Sequence, residues 1–236
     1  MTRRIYFIIT ILVSFAGLLA SLLTGCGGGG GGNTGSSGES RGQMEVRLSW
    51  AERRGGRQAP ADASSVRVAV KEPSGRVLVE RLLVRPSVSA SVTVERFDSL
   101  PQTTVLIEAT AFPHANGTGT AQARATSQVT VLAGRSTTLN LSLESTVERV
   151  AILPDTIPLT GQPVLIHAAA YDRAGNQVLT SQWDWQNSNP LAVSLQPQGN
   201  AAVVRAVGPG NATITLIETQ SGEKRERTFH VAPLAP

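Results

Sequence analysis

Cys26 is the only cysteine in 236 residues, and a lone thiol cannot close an intrachain disulfide even in an oxidising compartment. The other side chains with chemical potential are scattered. His114, His167 and His230 lie in three separate segments, with no Cys, Asp or Glu at metal-ligand spacing. His167 and His230 occupy strand positions between apolar neighbours and are expected to face outward. No Gly-x-Ser-x-Gly elbow, His-Glu-x-x-His helix or Ser-x-x-Lys motif is present, so the arrangements that activate a serine or a zinc-bound water are missing. Asp172 and Asp184 are the carboxylates to weigh as an acid-base pair. Asp172, however, opens a turn that ends at Gly175-Asn176, where Asp caps its own backbone, and Asp184 alternates between Trp183 and Trp185 and is expected to face water. Calcium needs several clustered oxygens; Asp172, Asn176, Asp184 and Asn187 supply some, but no dense acidic loop accompanies them. The expectation is a non-enzymatic chain with no catalytic residues, no metal site and no cofactor.

The segment that positions Cys26 is more specific. Arg3 and Arg4 precede an apolar run from Ile5 to Leu23, which ends at Leu23-Thr24-Gly25-Cys26. A basic front, an apolar middle and a small-residue ending form the layout of a secretory signal peptide, with the positive charge retained on the cytoplasmic side. The run exceeds the roughly 18 residues at which a spanning helix becomes possible, so length alone does not separate a cleaved signal from an anchor. The ending does: Leu23, Thr24, Gly25 and Cys26 resemble the bacterial lipobox. That resemblance implies diacylglycerol on the Cys26 thiol and cleavage just before it, so that residues 1–25 are removed. It also implies, with Gly27 rather than Asp next in line, sorting to the outer membrane where the organism has two membranes. Two or three acyl chains, at about 0.8 kcal/mol per buried methylene, hold a protein on a bilayer where one does not.

Gly27 to Gly32 and the following Asn33-Thr34-Gly35-Ser36-Ser37-Gly38 carry almost no side chain able to bury apolar area, so residues 26–42 read as a flexible tether. A phosphate-cradling loop would need a preceding strand and a following Lys-Ser or Lys-Thr helix. Loss of residues 1–25 removes two of 21 basic residues and no acidic one, leaving 19 against 17. Nucleic-acid binding would need clustered cations with interleaved aromatics; the denser group Arg53-Arg54-Gly55-Gly56-Arg57 is a glycine-broken loop, and no nucleic-acid partner is expected.

After residue 40 the apolar pattern has period two. Val46-Leu48-Trp50, Val66-Val68-Val70, Val88-Ala90-Val92-Val94, Val105-Ile107-Ala109-Ala111 and Leu139-Leu141-Leu143 each place apolar residues on one face. Turn signals at Glu72-Pro73-Ser74-Gly75, Arg85-Pro86, Leu100-Pro101 and Ala133-Gly134 separate them. The expectation for residues 43–145 is a sandwich or barrel of about seven strands. Val70 to Gly75, Ser99-Leu100-Pro101 before Ala109-Thr110-Ala111, and Val131 to Gly134 before Thr137-Thr138-Leu139 resemble prealbumin-like or carboxypeptidase-regulatory-like modules.

Residues 146–236 resemble the bacterial immunoglobulin-like domain of group 2. Four segments carry the match: Val150-Ala151-Ile152-Leu153-Pro154 with Leu159-Thr160-Gly161-Gln162; Ala168 to Asn176, including the turn glycine Gly175; Trp185-Gln186-Asn187-Ser188-Asn189-Pro190; and Ala206 to Thr215, including Gly210. Along Val164-Ile166-Ala168-Ala170 the inward residues shrink, which leaves space for the ring of Trp185. Trp183 points to the same side, so either both rings are inside or the strand bulges between them.

The predicted fold class is therefore all-β: two tandem β-sandwiches, prealbumin-like and Ig-like, after a lipoprotein signal and a glycine-rich tether. The expected role is a cell-envelope binding, adhesion or spacer module, held to the membrane by lipid and contacting a protein or polysaccharide ligand. An accessory subunit that anchors an envelope enzyme or secretion complex, and a polysaccharide-binding module, are the alternatives.

Overall fold

The computed structural model describes residues 41–50, 59–87, 92–155 and 161–232. These residues form strands, turns and loops without a helix, and the all-β expectation holds. Eight strands come first: β1 (Arg41–Ser49), β2 (Ser65–Lys71), β3 (Val77–Val84), β4 (Val92–Pro101), β5 (Thr104–Phe112), β6 (Ala123–Thr130), β7 (Ser136–Leu141) and β8 (Glu144–Ser145). They make a three-stranded sheet, β4-β1-β7, and a five-stranded sheet, β3-β2-β5-β6-β8. Strand β1 runs antiparallel to β4 and parallel to β7.

Period two explains how these sheets close on each other, because alternate residues of each strand point the same way. From β1, Met44, Val46 and Leu48 enter the core, followed by Trp50; from β2 come Val66, Val68 and Val70, and from β5 Val105, Ile107, Ala109 and Ala111. The Trp50 indole spans core and surface: its Nε1 donates to Thr93 Oγ1 at 2.7 Å, and the Arg85 guanidinium lies 4.8 Å from its ring centroid. Gly42 is required by packing, since a Cβ there would meet the Leu132 carbonyl oxygen at 2.3 Å.

One expected strand faces the other way. Val92 and Val94 are both 47% exposed, while Val88 and Ala90 lie outside the described residues. The β1–β4 register sets Leu48 opposite Thr93, Val46 opposite Glu95 and Met44 opposite Phe97. Directly opposed residues share a face, so Thr93, Glu95 and Phe97 look inward, and beyond the register shift opposite Gly42 and Met44 the inward residue is Leu100. The apolar alternation was real, but it lay on the outer face of an edge strand.

The second set comprises β9 (Arg149–Leu153), β10 (Val164–Tyr171), β11 (Gln177–Val178), β12 (Trp183–Asn187), β13 (Val193–Gln198), β14 (Ala201–Ala206), β15 (Gly210–Glu218) and β16 (Lys224–Val231). One sheet joins β11, β10, β14 and β13, with β9 also paired to β10; the facing sheet is β12-β15-β16. Strand β9 also lies against β15 and β16, and Arg227 of β16 donates to the carbonyls of Ile152 at 2.8 Å and Pro154 at 2.6 Å. Its first strand thus touches both sheets. A separate apolar core lies between these sheets, built on Ile152, Ile166, Val204, Ile214, Leu216 and Trp185.

Both tryptophan rings are on the inner side. Trp185 is 8% exposed and Trp183 packs against the same core. The pairing of β12 with β15 is continuous, from Trp183 opposite Glu218 to Trp185 opposite Leu216, so no bulge separates the rings. Ala168 and Ala170 of β10 belong to that core and provide the room. Each indole N–H is satisfied, Trp185 Nε1 by Gly199 O at 3.2 Å and Trp183 Nε1 by Thr180 O at 2.9 Å. Truncation of Trp185 to Ala leaves a cavity and an unpaired carbonyl, and is expected to cost about 3–5 kcal/mol. Chemical denaturation followed by circular dichroism checks this; a loss below 1 kcal/mol would mean that the ring does not hold the core.

Candidate functional site

Cys26 and its neighbours Leu23, Thr24 and Gly25 lie outside the described residues, as do Gly27 to Gly32, Arg53 to Arg57, Leu159 and Thr160. The remaining residues singled out in the sequence are dispersed. His114, His167 and His230 are exposed and sit in different loops or strands; the His230 ring contacts the Asn211 side chain. Among the described residues no group of three or more His, Cys, Asp or Glu side chains is placed to hold a metal ion.

Asp172 and Asp184 are not brought together as a pair. Asp172 Oδ1 accepts the backbone N–H of Ala174 at 2.9 Å and of Asn176 at 2.8 Å, and Oδ2 accepts the Asn176 side-chain amide at 3.0 Å. Gly175, at φ 84°, closes the turn in a conformation that glycine adopts without strain. Asp184 instead accepts the side-chain amide of Gln186 at 2.8 Å. Asn187 and Asn189 brace the loop after β12: Asn187 donates to Val193 O and Asn189 to Asn211 O. Gly210, at φ 135°, starts β15 beside that loop, and a Cβ on Gly208 would meet Leu191 O at 2.7 Å.

The densest polar arrangement joins the two sets of strands. Asp62, in the loop before β2, accepts both the backbone N–H and the hydroxyl of Ser181, at 2.6 and 2.7 Å. Gln122, just before β6 and 3% exposed, donates from Nε2 to Leu179 O at 2.7 Å. Thr146 N donates to Gln122 O at 3.0 Å, which ties the linking residues to the first set. On the other side Glu218, only 1% exposed, accepts the Thr180 hydroxyl at 3.0 Å and the Ser221 backbone N–H at 2.7 Å. Arg85 stands behind Asp62 and donates to Ala63 O at 2.6 Å and Pro60 O at 2.5 Å. Burial pushes the pKa of Arg85 down from its ordinary value while Asp62 pulls it up; a guanidinium stays cationic under either influence. Beside this junction lies a groove of about 770 Å³ that includes Arg124, Glu144, Glu148, Asp172 and Arg173 in its wall.

This junction leaves little trace in the sequence. Asp62 and Ser181 are 119 residues apart, and nothing local marks either. Glu218 did carry a signal: Ala212, Ile214 and Leu216 face the core, and the same period puts Glu218 on the inward face.

No protein-family model matches the chain, and no curated protein sequence does, so the two family resemblances rest on the segments that carry them. Among solved structures, the fimbrial anchor protein Mfa2 from Porphyromonas gingivalis is similar at a TM-score of 0.37 and 11% identity, over 81% of this chain and 83% of that one. Domains 4 and 5 of the S-layer protein SbsC give 0.31 and 16%, over 57% and 67%. A Parabacteroides merdae β-glucuronidase gives 0.28 and 12%, over 72% of this chain but 21% of the enzyme. None of the three superimposes closely, and none transfers a function to this chain.

Two measurements test the local chemistry. The Asn176 amide side chain, and then the backbone N–H groups of the turn, hold the Asp172 carboxyl below its ordinary value against desolvation. A depressed folded-state pKa contributes stability above the unfolded value of about 3.9, and loses it as pH falls through the folded value. The Ala174 and Asn176 amide resonances should therefore titrate with a midpoint below about 3.9; a midpoint at or above that value contradicts the cap. For the junction, Asp62→Ala removes charge-assisted bonds of about 1.5–3 kcal/mol. Calorimetry should then resolve two unfolding transitions in place of one; a single unshifted transition would show that Asp62 does not couple the two halves.

Proposed function

We propose that this chain is a lipid-anchored, non-enzymatic module of a bacterial cell envelope, in which residues 43–145 and 146–236 are two domains that carry a protein-binding surface away from the membrane. The observation that carries the reading is the position of Cys26: the only thiol in the sequence follows the apolar run at the last place of Leu23-Thr24-Gly25-Cys26. Diacylglycerol on that thiol is the single covalent group the reading requires.

The geometry of the first sandwich suits an anchor at that end. Arg41 begins β1 beside Ser99, Pro101 and Gly134, whereas Trp50, Asp62 and Gln122 lie at the opposite end, where the second set of strands attaches.

A protein ligand is favoured over a polysaccharide by the surface itself. Strands β3 and β4 are edges of the two sheets of the first sandwich, and they expose Val77, Leu82, Val84, Val92 and Val94. Unpaired edges with apolar neighbours can accept an added strand from a partner. Sugar platforms need exposed aromatic faces, and Trp50, Trp183 and Trp185 are all engaged in cores.

In the native host, mass spectrometry of the mature amino terminus should find a diacylglyceryl group on Cys26 as residue one. Cys26→Ala should move the protein from the membrane fraction to the soluble one, or leave it as uncleaved precursor. An intact Met1 on the wild-type chain, or wild-type behaviour of the variant, would overturn the anchoring.

A further inference from the structure

The junction between the two sandwiches contains one buried carboxyl group without an ion-pair partner among the described residues and one buried polar atom without a hydrogen bond. Glu218 is 1% exposed, and its carboxylate accepts only neutral donors, the Thr180 hydroxyl and the Ser221 N–H. No Lys, Arg or His among the described residues forms an ion pair with it. A buried carboxylate without a counter-charge is costly unless something neutralises it. Across the junction, Gln122 is 3% exposed, and its Oε1 is buried without a hydrogen-bond partner. Exchanging its oxygen and nitrogen does not help, because Nε2 already donates to Leu179 O at 2.7 Å and an oxygen there would face another oxygen.

Both groups border the same small cavity, of about 10 Å³, together with Asp62, Thr180 and Ser145. That is room for one particle the size of a water molecule. A water would satisfy Gln122 Oε1 but leave the Glu218 charge uncompensated. A cation would satisfy both. Asp62 adds a second carboxylate to the wall of the same cavity. The two carboxylates and the amide carbonyl are hard oxygen donors of the kind that suit calcium rather than a transition metal, and of their oxygens Gln122 Oε1 is the one without a hydrogen bond.

We propose that this cavity binds one calcium-class cation through Glu218, Asp62 and Gln122, and that the ion locks the two sandwiches together. Glu218 comes from β15 of the second sandwich, while Asp62 and Gln122 belong to the first. An ion shared by them binds only when the halves are docked, so its binding free energy favours the docked state. Calcium in the medium outside a cell then stiffens the chain, whichever ligand the outer surface contacts. The proposal is independent of lipidation and of the partner.

The test uses full-length protein in detergent, stripped with EDTA and titrated with Tb³⁺, which occupies calcium sites and emits when a nearby tryptophan is excited. Trp183 lies opposite Glu218 in the β12–β15 ladder and serves as the donor. Wild type should show emission that saturates at one ion per chain and is displaced by Ca²⁺, with Tm raised by Ca²⁺ relative to EDTA. Glu218→Gln should weaken binding at least tenfold. Gln122→Glu keeps the size of the side chain and adds a charge: it should bind Ca²⁺ more tightly than wild type and be less stable than wild type in EDTA. Absence of displaceable emission together with equal Tm in Ca²⁺ and EDTA overturns the proposal. So does a Glu218→Gln variant that binds as tightly as wild type, or a Gln122→Glu variant that Ca²⁺ does not stabilise.

Discussion

With one cysteine in the whole chain and no helix among the described residues, burial of one face of each sheet against another is what holds residues 41–232 together. Each strand can contribute only every second residue to that burial, and the register between strands decides which set it is. Everything else follows from this constraint. Glycines such as Gly42 and Gly208 appear where backbones approach too closely for a Cβ. The indoles of Trp50, Trp183 and Trp185 each place an N–H at the boundary of a core where an acceptor waits. A shift of one residue in β2 would expose Val66, Val68 and Val70 and bury Arg67.

The same constraint sets what could be read from the sequence. Period two is visible in one strand at a time, so β1, β2, β5 and β10 were legible with their inward faces. Which face of β4 is inward depends on its partner. Thr93, Glu95 and Phe97 look less apolar than Val92 and Val94, yet β1 places them opposite Leu48, Val46 and Met44, and an edge strand with one neighbour tolerates polar residues at its inner rim. Glu95 reaches Arg81 of β3 at 3.5 Å, so its charge is met across the sandwich mouth. Asp172 and Gly175 could be placed in a turn because all the atoms involved lie within five residues. Asp62, Ser181, Gln122 and Glu218 could not be grouped as a site, because they meet only when two cores have formed and docked.

That docking is made by polar groups rather than by a third apolar core, and this has consequences for how the chain responds to its surroundings. An apolar joint would be held by buried area, with no bond that fixes one orientation. A joint made of Asp62 with Ser181 and Gln122 with Leu179 is directional: each bond needs its partner in one orientation, so the relative placement of the two sandwiches is specified by a few atoms. It is also conditional. Buried polar groups stabilise when satisfied and destabilise when they are not, so the free energy of the joint depends on whatever fills the space between Glu218 and Gln122.

Force and orientation pass between the two sandwiches only through the segment that joins them. In such a chain the weakest link is a connection between domains rather than a domain core, because each core contains ten or more buried side chains while the connection depends on a handful of hydrogen bonds. Evolution can tune that link without disturbing either core. Replacing a neutral group at the junction by a charged one, or the reverse, changes the stiffness of the connection and leaves Ile107, Ile166 and Leu216 where they are. The junction is thus the place in this structure where sequence change most readily alters mechanical behaviour while preserving the fold.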